Sequence, residues 1–114
     1  MFNTAESFEG TWKYESVSID GADPVDEFDQ VDRELFVTYI AEDEDGGKVH
    51  VELKDKFSGA LDLEVDGTFS IDGSELTVEI QTFGGVSQFT ITKTTLTQTY
   101  NVNSQDRIEV YIKQ

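Results

Sequence analysis

Short segments in which apolar and polar residues alternate recur along the chain, and they constrain its fold more than any other feature. In KVHVELK, at 48–54, Val49, Val51 and Leu53 share one parity, and polar or charged residues occupy the other. The same alternation is found in ALDLEV, ELTVEI, QFTITK, TLTQTY and RIEVYIK. Because successive side chains of a strand point to opposite faces, each segment predicts a β-strand with one buried face.

Turn-forming residues separate these segments. They are Asp45-Gly46, Asp66-Gly67, Asp72-Gly73, Gly84-Gly85 and the polar stretch NVNSQD at 101–106. Glycine and aspartate supply the backbone conformations and side-chain hydrogen bonds that tight hairpins need. We therefore predict eight or nine strands, joined mostly by hairpins, at 10–20, 35–41, 48–54, 59–65, 68–71, 75–82, 86–93, 95–102 and 107–113.

The segment ADPVDEFDQVDRE, at 22–34, lacks this alternation and predicts a short helix after the first strand. Asp23 is a candidate N-cap, and Pro24 follows it at the first helical position. Val25 and Phe28 have the i, i+3 spacing of one helix face. Since the segment joins the first two long strands, we expect it to form a lid with these two apolar residues turned inward and its acidic residues in water.

The predicted strands have one apolar face each, and almost no helix is available to cover them. The sheet must therefore close on itself or pack against a second sheet. Consecutive hairpins favour an up-and-down barrel over a Greek-key sandwich, which needs long crossovers. At 114 residues the chain has the size of one domain. We predict a single all-β domain over residues 1–114, an up-and-down antiparallel barrel of eight to nine strands.

The formal net charge of −16 argues against two classes of partner. An acidic surface repels phosphate backbones, so nucleic acid is not expected. No apolar run approaches the roughly 20 residues of a membrane-spanning helix, so membrane insertion is not expected either. The start, Met1-Phe2-Asn3-Thr4, is not typical of a signal peptide. The compartment stays open between the cytosol and an exported protein whose export segment is absent from this sequence.

Catalytic and metal-binding patterns are weak. The chain has no cysteine, and its single histidine, His50, falls on the polar parity of its strand, which is typical of a surface imidazole. The acidic stretch EDEDGG at 42–47 fits the calcium-loop template poorly, because Ala41 stands at its first position. We therefore predict a charged hairpin turn there, and no enzyme activity, catalytic residue, metal site or cofactor.

The segment around the only tryptophan carries a family resemblance. Gly10-Thr11-Trp12 at the start of the first strand resembles the G-x-W signature of lipocalins, and GTWK at 10–13 resembles small bacterial lipocalin-like domains more closely. DGTFSIDGSELTVEI at 66–80, TLTQTY at 95–100 and EVYIK at 109–113 continue the likeness. It implies a barrel with Trp12 closing one end and a ligand cavity opening at the other. Gly10 and Trp12 would form the base, with Arg107 or Lys113 packed on the indole.

Strand parity predicts which side chains line that cavity. Aromatic residues on inward parities, together with Gln98 and Ser87, would form an apolar cavity with a few polar anchors. The candidate ligand-binding residues are Tyr14, Tyr39, Phe69, Phe89, Gln98 and Tyr100 on the strands, together with Phe28 of the predicted lid. The alternative is that these side chains fill a small barrel completely, since eight strands leave room for little more than side chains or one small ligand.

Two functions remain open from the sequence. The first is non-enzymatic binding of a small hydrophobic or amphipathic molecule in the barrel lumen. The second is a filled barrel that contacts an unknown protein partner through its acidic surface or an exposed strand edge. An internal cavity would favour the first function, and a continuous apolar patch on the outside would favour the second.

Overall fold

Eight antiparallel strands close into a barrel in the computed structural model, which describes residues 5, 9–80, 85–92, 95–102 and 104–114. The strands are β1 (Gly10–Ile19), β2 (Arg33–Ala41), β3 (Gly46–Asp55), β4 (Leu61–Asp72), β5 (Glu75–Ile80), β6 (Gly85–Ile91), β7 (Thr95–Val102) and β8 (Gln105–Lys113). Each pairs with the next along the chain, and β8 pairs with β1 to close the barrel. The predicted all-β, up-and-down barrel is confirmed. No helix in the described part of the chain has the length and apolarity to span a bilayer.

The strand count is eight because two predicted strands form one. The segments predicted at 59–65 and 68–71 are both parts of β4, so the predicted turn at Asp66-Gly67 is wrong. Gly67 pairs with Val49 in the middle of the strand. A Cβ atom at this position would lie 2.3 Å from the carbonyl oxygen of Glu79. Glycine is needed at this position because the backbone of β5 approaches it closely. In the sequence, a glycine required by such a contact looks the same as a glycine required by a turn.

The other predicted turns agree better with the structure. Gly73 has a φ of 62° between β4 and β5, a conformation that glycine adopts readily. In the turn before β3, the Asp43 Oδ1 atom accepts hydrogen bonds from the backbone N–H groups of Asp45 and Gly46. The EDEDGG stretch is therefore a side-chain-capped hairpin turn. Of the predicted Gly84-Gly85 turn, Gly84 lies outside the described residues and Gly85 begins β6.

The predicted helix between β1 and β2 is present only as a three-residue 3-10 helix, Asp29–Val31. Asp23 does not cap it: the N-cap residue is Phe28, and the turn before it is closed by Asp26 Oδ1, which accepts hydrogen bonds from the backbone N–H groups of Phe28 and Asp29. Upstream, Val25 forms an isolated β-bridge with Val17. This extended pairing uses the backbone groups that a longer helix would need. We call residues 20–32 the cover segment.

The barrel has two different ends. The starts of β1 and β3 and the ends of β2, β4 and β8 meet at the first end, where Ala5 is fully buried and donates its backbone N–H to the Glu44 carbonyl. We call this the closed end. The cover segment and the turn between β3 and β4 lie at the opposite, open end. Trp12, near the start of β1, is 2% exposed and belongs to the core at the closed end.

Candidate functional site

A cavity of about 300 Å³ lies inside the barrel, toward the open end. Its lining side chains come from the cover segment and from every strand except β1. They are Phe28, Leu35, Val37, Tyr39, Val51, Leu53, Leu63, Val78, Ile80, Ser87, Phe89, Gln98 and Tyr111. The volume lies at the lower limit of the range typical of small-molecule pockets. The barrel is therefore not completely filled by its own side chains.

The lining is mostly apolar and includes no charged side chain. Ser87 on β6 and Gln98 on the neighbouring strand β7 supply polar groups to the lining. Burial raises the pKa of the Tyr39 hydroxyl far above its usual value, and burial likewise raises the pKa of Tyr111. Both hydroxyls therefore stay neutral at physiological pH. The cavity can offer a ligand apolar contact and a few neutral hydrogen-bonding groups.

Four of the seven sequence-predicted binding residues line this cavity. They are Phe28, Tyr39, Phe89 and Gln98. Two of the aromatic rings among them pack on further aromatic residues. Tyr39 lies edge-on to Phe69 with the ring centroids 5.2 Å apart, and Phe89 lies edge-on to Tyr111 with the centroids 5.7 Å apart. Phe69 itself is buried behind Tyr39 and supports the wall without lining the cavity.

The other two predicted binding residues, Tyr14 and Tyr100, also lie outside the lining. Tyr14 is buried between Phe28 and Tyr111, with ring centroids 4.7 Å and 5.6 Å away. Tyr100 lies at the open end beside Arg107, whose guanidinium carbon is 5.9 Å from the Tyr100 ring centroid. Both residues therefore belong to a layer behind the cover segment.

The predicted binding residues do not include the aliphatic side chains of the wall, because aromatic size alone does not identify them. Val51 and Leu53 share the inward parity of KVHVELK, so the alternation was sufficient to find them. Tyr111 could not be found in this way. In β8 the face formed by Ile108, Val110 and Ile112 is the more apolar of the two. Ile108 is nevertheless 41% exposed, whereas Tyr111 on the opposite face is only 8% exposed. The polar parity of β8 faces the interior.

This reversed strand places charged groups inside the open end. Arg107 Nη2 donates a hydrogen bond to Glu27 Oε1 of the cover segment. Burial raises the pKa of the nearby Glu109 carboxyl, while a hydrogen bond from Tyr100 and the charge of Arg107 oppose the shift. Buried near them, Arg107 Nε and Tyr14 Oη have no hydrogen-bond partner in the described part of the chain. Burial raises the pKa of the Tyr14 hydroxyl, and the nearby backbone amide of Glu27 opposes the shift.

At the closed end, the cation over Trp12 is that of Lys113. Lys113 Nζ lies 5.8 Å from the centroid of the indole ring. Arg107, the other candidate from the sequence, pairs with Ile19 at the opposite end of β8, so its predicted place at the base is wrong. Five residues of strand separate Arg107 from Lys113, so only one of the two cations can reach the indole. Gly10 has a φ of 135°, and a Cβ atom there would contact Lys113 Cε at 3.4 Å. Gly10 therefore lies beside Lys113 at the closed end.

His50 lies on the outer face of the barrel, at the parity predicted for a surface imidazole. Asp66 lies opposite it on β4, and their side chains are in contact, with His50 Nδ1 2.6 Å from Asp66 Oδ1. This hydrogen bond raises the pKa of the imidazole. The cavity is on the other side of the barrel wall, so His50 does not contribute to the lumen.

Comparison with known proteins agrees with this architecture. A search of curated proteins found no match to the chain. A family model described as "Lipocalin-like domain" matches residues 8–100, which is most of the sequence. The match begins just before the GTW segment and ends in β7, so it spans most of the closed barrel, including Trp12 at its base. The chain belongs to the lipocalin-like domain family.

Proposed function

We propose that the protein binds one small hydrophobic or amphipathic molecule inside the barrel, without covalent chemistry. The observation that carries the proposal is the cavity of about 300 Å³, which has apolar walls and the polar side chains of Ser87 and Gln98. Apolar surface gives such a pocket its affinity, and a small number of polar groups orient the ligand. Membership of a lipocalin-like family supports the same general function.

The charges around the opening influence which ligands can enter. The cover segment carries six acidic residues, and the whole chain has a net charge of −16. The six are Asp20, Asp23, Asp26, Glu27, Asp29 and Asp32. A negative field lowers the concentration of anions near the opening and slows their association. We therefore expect neutral or cationic amphipathic molecules to bind better than free carboxylates of the same apolar size.

The proposal is tested by filling the cavity from one wall. Val51→Phe adds a ring to the lining, so it should abolish saturable binding of an environment-sensitive dye while the barrel stays folded. Val86→Phe is the matched control, because Val86 is on β6 with its side chain 58% exposed. The control should bind like the original protein. Native mass spectrometry of protein purified from cells would show whether one small molecule copurifies. Equal dye binding by both variants would contradict the proposal.

A filled barrel that acts as a protein-interaction module is the alternative. This alternative requires an interior filled by side chains, and the cavity of the barrel argues against it. Partner capture by the Val51→Phe variant, together with absence of any ligand in the original protein, would favour the alternative.

A further inference from the structure

Four polar side chains form a compact group on the outer face of β3 and β4. His50 and Glu52 are two residues apart on β3, and Glu64 and Asp66 are two residues apart on β4. The register pairs His50 with Asp66 and Glu52 with Glu64. The four side chains therefore stand at the corners of a rectangle on one face of the sheet. We call them the β3–β4 cluster.

Asp66 determines how the imidazole of His50 is oriented. His50 Nδ1 is 2.6 Å from Asp66 Oδ1. An ionised carboxylate only accepts hydrogen bonds, so Nδ1 must carry the proton and donate it. In the neutral ring the lone pair then resides on Nε2. The same arrangement, a histidine whose second ring nitrogen donates to a carboxylate, accompanies most metal-binding histidines.

The free edge of the imidazole faces the two glutamates. His50 Nε2 is 3.4 Å from Glu64 Oε2 and 3.9 Å from Glu52 Oε2. Ligand atoms bound to zinc at about 2.0 to 2.2 Å in a tetrahedron are separated by about 3.4 Å. The Glu64 distance agrees with this value, and a small side-chain rotation would bring Glu52 to it. All three ligand atoms already lie within 4.8 Å of one another.

The two glutamates also oppose each other directly across neighbouring strands. Like charges at such a pair of positions destabilise a sheet. Lys54 Nζ is 3.9 Å from Glu52 Oε1, which offsets only part of this repulsion on the β3 side. A divalent cation between the carboxylates would neutralise both of them.

We propose that the β3–β4 cluster binds one divalent transition-metal ion, with zinc as the best fit. The ligands are His50 Nε2 and one carboxylate oxygen each from Glu52 and Glu64, and Asp66 orients the imidazole. A nitrogen ligand favours zinc and its neighbours over calcium and magnesium, which prefer oxygen ligands alone. Glu64 is half exposed, so water can occupy the fourth position. The site lies outside the lumen and does not depend on the proposed ligand-binding function.

The test is a calorimetric titration of the whole protein with zinc at pH 7 and about 0.15 M ionic strength, which screens the general attraction of an acidic protein for cations. We expect one zinc ion per chain. His50→Gln should weaken binding at least tenfold, and Asp66→Asn should weaken it by about 10- to 100-fold, as loss of an orienting carboxylate does. Glu79→Gln is the matched control. It removes one charge from the exposed face of β5 and should change the affinity less than twofold.

The ring nitrogens give a second measurement that does not depend on a variant folding correctly. On addition of zinc, the ¹⁵N resonance of His50 Nε2 should shift strongly, because that atom becomes a metal ligand. Binding of several zinc ions with no dependence on His50 would overturn the proposal. Competition by magnesium at concentrations equal to those of zinc would also overturn the proposal, and so would an Nε2 resonance that does not shift. In either case the cluster would be only a set of ion pairs around an imidazolium.

Discussion

The ring of Phe28 stands edge-on to the ring of Tyr14, with the two centroids 4.7 Å apart and the planes at 89°. Phe28 belongs to the cover segment and lines the cavity, whereas Tyr14 is buried on β1. The ion pair between Glu27 and Arg107 attaches the neighbouring residue of the segment to β8. These two contacts, together with the backbone bridge between Val25 and Val17, hold the segment over the open end of the barrel.

Phe28→Ala is expected to increase the ligand dissociation rate more than it lowers stability. The ring covers the cavity at the opening, and it is only partly buried. Stopped-flow displacement of a bound dye would measure the rate, and a urea melt would measure the free energy of unfolding. Val31→Ala is the control in the same segment, because Val31 is 61% exposed and should affect neither quantity. An unfolded Phe28→Ala protein would instead identify the segment as a structural plug.

Trp12→Ala is expected to lower the free energy of unfolding by about 3 to 5 kcal/mol, as truncations of large buried aromatic residues do. The indole is almost fully buried at the closed end and lies under the Lys113 ammonium group. Folded domains typically have about 5 to 15 kcal/mol of stability, so the variant should be largely unfolded if the barrel is near the lower end of that range. Chemical denaturation followed by circular dichroism would check this. Near-native stability would show that the indole does not close the barrel base.

Glu109→Gln is expected to stabilise the protein at neutral pH. Burial raises the pKa of Glu109 in the folded barrel, where Tyr100, Arg107 and Glu27 also face it. The folded state therefore holds this proton more tightly than the unfolded state, and the carboxyl contributes full stability only below its unfolded pKa of about 4.5. That contribution is lost as the pH rises through the folded pKa.

Denaturant melts between pH 4 and pH 7 would measure this dependence. The advantage of Glu109→Gln over the original protein should be small at pH 4 and should increase toward neutrality. Glu75→Gln, on the exposed end of β5, is the control for loss of one negative charge. If both variants gain stability equally, the effect comes from the net charge and not from burial of Glu109.

Gly67→Ala is expected to destabilise the barrel more than Gly59→Ala. A methyl group at Gly67 would meet the Glu79 carbonyl oxygen at 2.3 Å, so the backbone of β5 would have to move. Such overpacking typically costs about 1 to 3 kcal/mol. At Gly59 nothing lies within 4 Å, and the cost comes only from its φ of 74°. Thermal melts of both variants would compare them, and equal losses would contradict the close contact between β4 and β5.

Much of the fold could be predicted from the sequence because it depends on local, periodic features. Alternation in segments such as KVHVELK fixes which residues share a face, and hairpin turns fix which strands are neighbours. The GTW segment identified the family and placed Trp12 in the core. Tyr39, Phe89 and Gln98 line the cavity for the same reason, since their inward parity was visible in the sequence, whereas Phe28 was predicted as an apolar residue of the segment between the first two strands.

The remaining features depend on contacts between residues far apart in the chain, and only the tertiary structure decided them. In β8, pairing of Tyr111 with Tyr14 turns Arg107 and Glu109 inward, against the apolar parity of that strand. Gly67 resembles a turn residue until β5 is placed beside it. His50 becomes a candidate metal ligand only when the register of β3 and β4 brings carboxylates to it. A sequence pattern specifies a face of one strand, whereas closure of the barrel determines which groups from different strands meet.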